Sequence, residues 1–176
     1  GYEHWAKIHN LKQAARTLNF LTENRIDSYA ELSAKIAEVN AASEQAAGSL
    51  KGVERRLADM AVLIKNVTTY QKTKPVYDAY RRAKDKAAYR AAHESSLILF
   101  EAAAKAVKPA LVGGKLPNVA ALQAEYAKLQ EQKETLCADY GRLKKQVKEY
   151  DVIKRNIDSI LRRESEPERG KENVRG

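Results

Sequence analysis

The sequence predicts an all-α fold: a long antiparallel coiled-coil-like helical hairpin, with a helical tip and a short N-terminal helix packed at its base. Three observations carry that expectation. The 176 residues include only 8 Gly and 4 Pro, and Ala, Glu, Lys, Leu and Arg dominate, a composition of long helices rather than sheets. Two long stretches space their apolar residues in alternating steps of three and four, the mark of a seam that winds a helix left-handed against a partner. Between those stretches lie the strongest helix breakers, so the chain has room to turn back.

Residues 3–23 place Trp5, Ile8, Leu11, Ala15, Leu18 and Leu21 at helical spacing on one face. Asn24 to Asp27 break the period, and Asp27 or Ser28 can accept free amide hydrogens at the start of the next helix. That helix is expected over 28–73, with a seam of Tyr29, Leu32, Ile36, Val39, Ser43, Ala46, Leu50, Val53, Leu57, Met60, Ile64 and Val67. Ser43 and Ala46 thin its middle. Pro75 is expected to end it, because proline has no amide hydrogen and crowds the residue before it. The same proline can open a short helix over 75–84, and a further helix over 85–107 has Asp85 as its candidate cap.

Lys108 to Asn118, with Pro109, Gly113, Gly114 and Pro117, reads as a loop. The last helix, over 118–163, carries Val119, Leu122, Tyr126, Leu129, Leu136, Tyr140, Leu143, Val147 and Tyr150, interrupted by Lys133. Its seam then slips one residue into Ile153, Ile157 and Ile160. Residues 164–176 combine charge with Pro167 and Gly170 and are expected to form a disordered tail after a single helical domain over 1–163.

The two seam helices have equal lengths, roughly 69 Å each at 1.5 Å per residue. Equal length favours antiparallel pairing, with Gly48 and Gly52 about level with Gly141 at a thin waist, and with Trp5 and Leu18 covering Ile157, Ile160 and Leu161 at the base. If 75–107 were instead one straight helix, the result would be an up-down-up bundle with the long helices parallel.

The net charge of +9, from 32 Lys and Arg against 23 Asp and Glu, suits an anionic partner or a basic solvated surface. Cys137 is the sole cysteine, so no intramolecular disulfide can form, and a reducing cytoplasm fits. No apolar run approaches the ~20 residues that cross a bilayer, so no membrane partner is expected. The opening at Gly1 suggests an excised fragment.

No cofactor, metal or catalytic residue is expected. His4, His9 and His93 offer no i, i+4 pair for a metal, and Gly113-Gly114 follows no strand that would make it a phosphate loop. The carboxylates alternate with bases along helical surfaces, where solvated ion pairs account for them.

Tyr70 to Arg90 is the most suggestive stretch. Lys72, Lys74, Arg81, Arg82, Lys84, Lys86 and Arg90 face only Asp78 and Asp85, a local charge of 7 − 2 = +5, with Tyr70, Tyr77, Tyr80 and Tyr89 interleaved. Aromatic planes beside cations can stack on and neutralise a nucleic-acid strand. The candidate DNA-binding residues are therefore Lys72, Lys74, Tyr77, Tyr80, Arg81, Arg82, Lys84 and Arg90. On the alternative reading the tyrosines supply the apolar side of the tip and the bases face water. A second basic stretch, Arg142 to Arg163, sets eight bases against Glu149, Asp151 and Asp158, on a helix whose seam serves packing.

The segments LKQAARTLNFLTENRIDSYAEL, YQKTKPVYDAYRRAKDKAAYRAAHESSLILFEAAAKAV and LKKQVKEYDVIKRNIDSIL together resemble the C-terminal region of relaxases, the mobilisation nucleases of conjugative elements. The resemblance spans nearly the whole chain. Such proteins nick DNA through a tyrosine in an N-terminal domain with a metal-holding histidine cluster, and no tyrosine or histidine here matches those positions. The resemblance implies a noncatalytic accessory domain that contacts DNA, single- or double-stranded, and docks the nuclease domain or other transfer proteins. The alternative is a structural coiled-coil module that joins subunits as a homodimer or adaptor without touching nucleic acid.

Overall fold

The computed structural model describes the backbone of residues 2–172 and the side chains of residues 9–163. Its elements are α1 (Tyr2–Glu23), α2 (Tyr29–Arg82), α3 (Lys86–Ala92), α4 (Glu94–Val107), a 3-10 turn (Lys108–Ala110) and α5 (Val119–Glu172). The fold is all-α; the sole β pairing among the described residues is one isolated bridge, Val112 to Lys115. The chain forms two compact units, Gly1–Gly48 with Ala138–Gly176, and Ser49–Cys137.

In the first unit, α1 ends in a tight reversal. Arg25 takes a left-handed conformation (φ 55°), while the amides of Arg25 and Ile26 donate back to Thr22 and Leu21. This double backward bond satisfies carbonyls that a helix end leaves free. Ile26 then packs with Leu21 in the core. Two residues on, Ser28 Oγ accepts the Glu31 amide and the Glu31 carboxylate accepts the Asp27 amide, so Ser28 is the cap that starts α2.

Ile26, Leu32, Tyr150 and Ile153 make the core of this unit, with Phe20, Leu21, Ile36, Val39 and Ile157 against it. Tyr29 at the head of α2 donates to Asp158 of α5 at 3.0 Å, and Val39, further along α2, joins a cluster that includes Tyr150. Position rises along α2 as it falls along α5, so the helices are antiparallel.

The face by which α1 packs differs from the expected one. Leu11 and Leu18 are 70% and 65% exposed, and Ile160 and Leu161 lie open to solvent rather than under Leu18. Thr17, Phe20 and Leu21 point inward instead. The reason is specific pairing: Phe20 meets Tyr150 edge-on at 5.1 Å, and the buried Thr17 hydroxyl accepts from Asn156 Nδ2 at 3.1 Å. Trp5, expected to help cover this base, lies outside the described side chains.

In the second unit, Val53, Leu57 and Leu129 pack with Met60, Tyr126 and Leu136, and Val67, Val107 and Leu122 with Leu63, Ile64, Tyr70, Leu116 and Val119. Arg56 pairs with Glu125 at 3.6 Å and Glu54 with Lys133 at 3.7 Å, the order of an antiparallel pair. Lys133, which interrupts the seam in sequence, thus has its ammonium drawn to a carboxylate on the facing helix. A parallel up-down-up arrangement is excluded here.

Pro75 does not end α2. The helix runs on to Arg82, so the expected break at 74–75 and the separate helix over 75–84 are corrected. A proline inside a helix removes one backbone bond and crowds the preceding turn. Here Tyr70 and Tyr77, two turns apart and straddling Pro75, both lie against Phe100 of α4, at 4.9 and 4.3 Å. Packing on both sides of the proline holds the helix through it.

The expected helix over 85–107 is two. Asp85 does cap the first of them, accepting the Ala88 amide at 3.1 Å. His93 (φ −126°, ψ 26°) then breaks the run. Without that break Arg90 and Glu101, eleven residues apart, would be separated by roughly 16 Å along one helix; instead their side chains meet at 2.9 Å.

The connection to α5 passes through Gly113 and Gly114, both left-handed (φ 58° and 75°), while Val112 and Lys115 exchange backbone bonds at 3.0 and 3.1 Å. Two successive positive φ values are what a two-residue reversal between paired strands demands and what glycine supplies without strain. Asn118 caps α5 by accepting the Ala121 amide. At the other end, the backbone stays helical to Glu172, past the expected start of a disordered tail at 164. Arg, Glu and Lys are good helix formers, and extending an existing helix needs no new nucleus.

Candidate nucleic-acid interface

The aromatic residues of the second unit form a continuous ladder rather than a set of free platforms. From Tyr70 it runs to Phe100, to Tyr77 (stacked on Phe100, 17° between planes), to Tyr80 at 6.3 Å, to Tyr89 at 6.3 Å, and to His93, stacked on Tyr89 at 4.1 Å. Contributions come from α2, α3, α4 and the His93 break. The four tyrosines are half-buried. Interleaving tyrosines at steps of three and seven on α2 thus builds the face that receives α3 and α4.

The cations divide into two groups. Arg90 is held: its guanidinium donates to both Glu101 oxygens at 2.9 and 3.1 Å and sits 5.6 Å above the Tyr80 ring. Its pKa is raised, first by the hydrogen bond to Glu101, then by that to Tyr80. Lys74 is also held, donating to Asp78 Oδ2 at 2.8 Å, a contact that raises the ammonium pKa chiefly through the hydrogen bond.

Lys72, Arg81, Arg82, Lys84 and Lys86 are exposed, and among the described residues none has a carboxylate within ion-pair distance. Arg82 Nε spends one donor on the Asp78 carbonyl, at 3.3 Å. Asp85, the acid between Lys84 and Lys86 in sequence, accepts the Ala88 amide at the α3 cap. Lys86 belongs to the same basic run in sequence, and with no carboxylate within ion-pair distance among the described residues it joins the candidates.

The free cations do not share one face. At about 100° per residue, the nine steps from Lys72 to Arg81 amount to two and a half turns, so these two project from opposite sides of α2. Arg81, Arg82, Lys84 and Lys86 gather instead at the α2–α3 junction. A helix C-terminus favours cations, which gives Arg81 and Arg82 a local role as well.

The remaining features offer less. His9 interacts with Gln13 at 3.0 Å, and His93 Nδ1 lies 3.1 Å from the Tyr89 carbonyl. Among the described residues no three His, Cys, Asp or Glu side chains converge as a metal site would require, and no helix is long and apolar enough to cross a membrane. Cys137 is exposed. Comparison with protein-family models, curated proteins and solved structures returns no match to this chain.

Proposed function

We propose that this chain is a noncatalytic helical accessory domain of a DNA mobilisation protein of the relaxase kind, acting in the cytoplasm, and that it contacts DNA without reading sequence. The observation that carries the DNA part is the cluster of Arg81, Arg82, Lys84 and Lys86, exposed around one helix junction without carboxylate partners. Neutralising phosphates at such a surface releases condensed counterions, which gives affinity that falls steeply with salt. Lys74 and Arg90, tied to Asp78 and Glu101, belong to the scaffold. The link to relaxases rests on the sequence resemblance, and docking of a nuclease domain or transfer partner on the helices follows from it.

The test is fluorescence anisotropy of labelled DNA at several salt concentrations. The expected result is binding at low salt that weakens as salt rises and is markedly reduced when Arg81 and Arg82 together become Ala. Absence of binding at low salt, or binding indifferent to the double substitution, would overturn the proposal. The alternative of a seam-mediated homodimer has less support, because Leu32, Val53, Leu57, Leu129 and Ile153 are already buried within one chain. Light scattering should accordingly report a monomer.

A further inference from the structure

We infer that the basic junction takes the sugar-phosphate backbone alone, so that duplex DNA, single strands and strands without bases are all ligands. This rests on the reading of the junction as a DNA contact and adds what part of the DNA is recognised. Bases stack best on rings that stand exposed and uncommitted, whereas Tyr77, Tyr80 and Tyr89 are each half-buried and already engaged by another side chain. Tyr77 gives one face to Phe100 at 4.3 Å, Tyr89 gives one to His93 at 4.1 Å, and Tyr80 is covered by the Arg90 guanidinium and flanked by both tyrosines. Freeing Tyr80 would mean lifting off an arginine that is bound to both oxygens of Glu101.

The cations are of the opposite kind: exposed, on long flexible stems, and free of carboxylates at the junction of two helices. Such groups suit phosphate, which presents charge without base identity. The position of Lys72 narrows the site further. Since it lies ten residues, about 15 Å along α2, before Arg82, the DNA contact consists of Arg81, Arg82, Lys84 and Lys86 at the junction, and excludes Lys72. Four neutralised phosphates correspond to a slope of log affinity on log salt of about −3.6 for duplex and about −2.8 for a single strand.

The experiment titrates the whole chain with three labelled probes of equal length, a duplex, a single strand, and a strand of abasic sugar-phosphate, each at several salt concentrations. The abasic and intact strands should bind within about twofold of each other. Arg81→Ala with Arg82→Ala should reduce the duplex slope by about two, while Lys72→Ala leaves it unchanged. An intact strand binding tenfold or more tighter than the abasic one would overturn backbone-only recognition while leaving DNA binding in place. A loss with Lys72→Ala equal to that of the arginine pair would overturn the assignment to the junction. If no probe binds at low salt, the reading of the junction as a DNA contact fails, and this inference with it.

Discussion

Within the core clusters, the most completely buried side chains, Leu32, Val67 and Val107, lie where a third element covers the α2 and α5 pair; where the two helices face each other alone, none is buried as deeply. Leu32, in the unit completed by α1, is 1% exposed, and Val67, in the cluster closed by α4, is 0% exposed. Val53 and Leu57, in the two-helix stretch of the second unit, keep 7% and 8%. Two helices present one stripe to each other and leave the flanks of every seam residue within reach of water. The ion pairs of Arg56 with Glu125 and Lys133 with Glu54 flank this stretch, and half-exposed pairs of that kind add little stability. The anchoring side chains should therefore lie under α1 in the first unit and under α4 in the second, and the two-helix seam of the second unit should be its weaker part.

The largest effects test that contrast directly. Leu32→Ala and Phe100→Ala should each cost about 3–5 kcal/mol in urea unfolding, the range for emptying a well-packed site. Leu57→Ala should cost about 2 kcal/mol, because water reaches the space it vacates. Equal losses at Leu32 and Leu57 would remove the distinction. Leu18→Ala, on the exposed side of α1, should change stability by less than about 0.5 kcal/mol.

Smaller effects go the other way. A Cβ built at Gly48, Gly52 or Gly141 meets nothing within 4 Å, so each change to Ala should stabilise its helix by up to about 1 kcal/mol, visible as a higher unfolding midpoint. Arg25→Gly should gain a few tenths of a kcal/mol or more, since glycine occupies the left-handed position without strain.

The smallest expected effect is electrostatic. The bond to Asp158 raises the Tyr29 pKa above its ordinary 10.0, the hydrogen bond contributing most and desolvation less. A raised folded-state pKa means the contribution is fully present below pH 10.0 and fades as pH climbs through the higher folded value. Comparing phenolate absorbance of the parent with Tyr29→Phe should show the missing group titrating above 10.0.

The seams were legible because a 3.5-residue period sustained over many turns has one reading, and Leu32, Val53, Leu57, Val67, Leu122, Leu129, Tyr150 and Ile153 all lie inside. The packing face of α1 was not, because its sequence holds two stripes at helical spacing. Leu11, Ala15 and Leu18 form the more apolar one, yet the edge-on contact of Phe20 and the hydroxyl of Thr17 fix the other against α5. Pro75 was misread for a related reason: the local rule is sound, but the support comes from Phe100, distant in sequence. At the candidate interface the basic run was visible, whereas the division into paired and unpaired cations depended on where Glu101 falls relative to Arg90.

That support for Pro75 has a consequence for the order in which the chain assembles. Helix growth from the α2 side meets a position with no amide to offer the Gln71 carbonyl, so propagation past it gains one bond fewer than at other residues. Residues 76–82 should therefore depend for their helicity on the contacts of Phe100 with Tyr70 and Tyr77. In hydrogen exchange, the amides after Pro75 should open together with α4, as one cooperative unit, rather than with the turns of α2 that precede them.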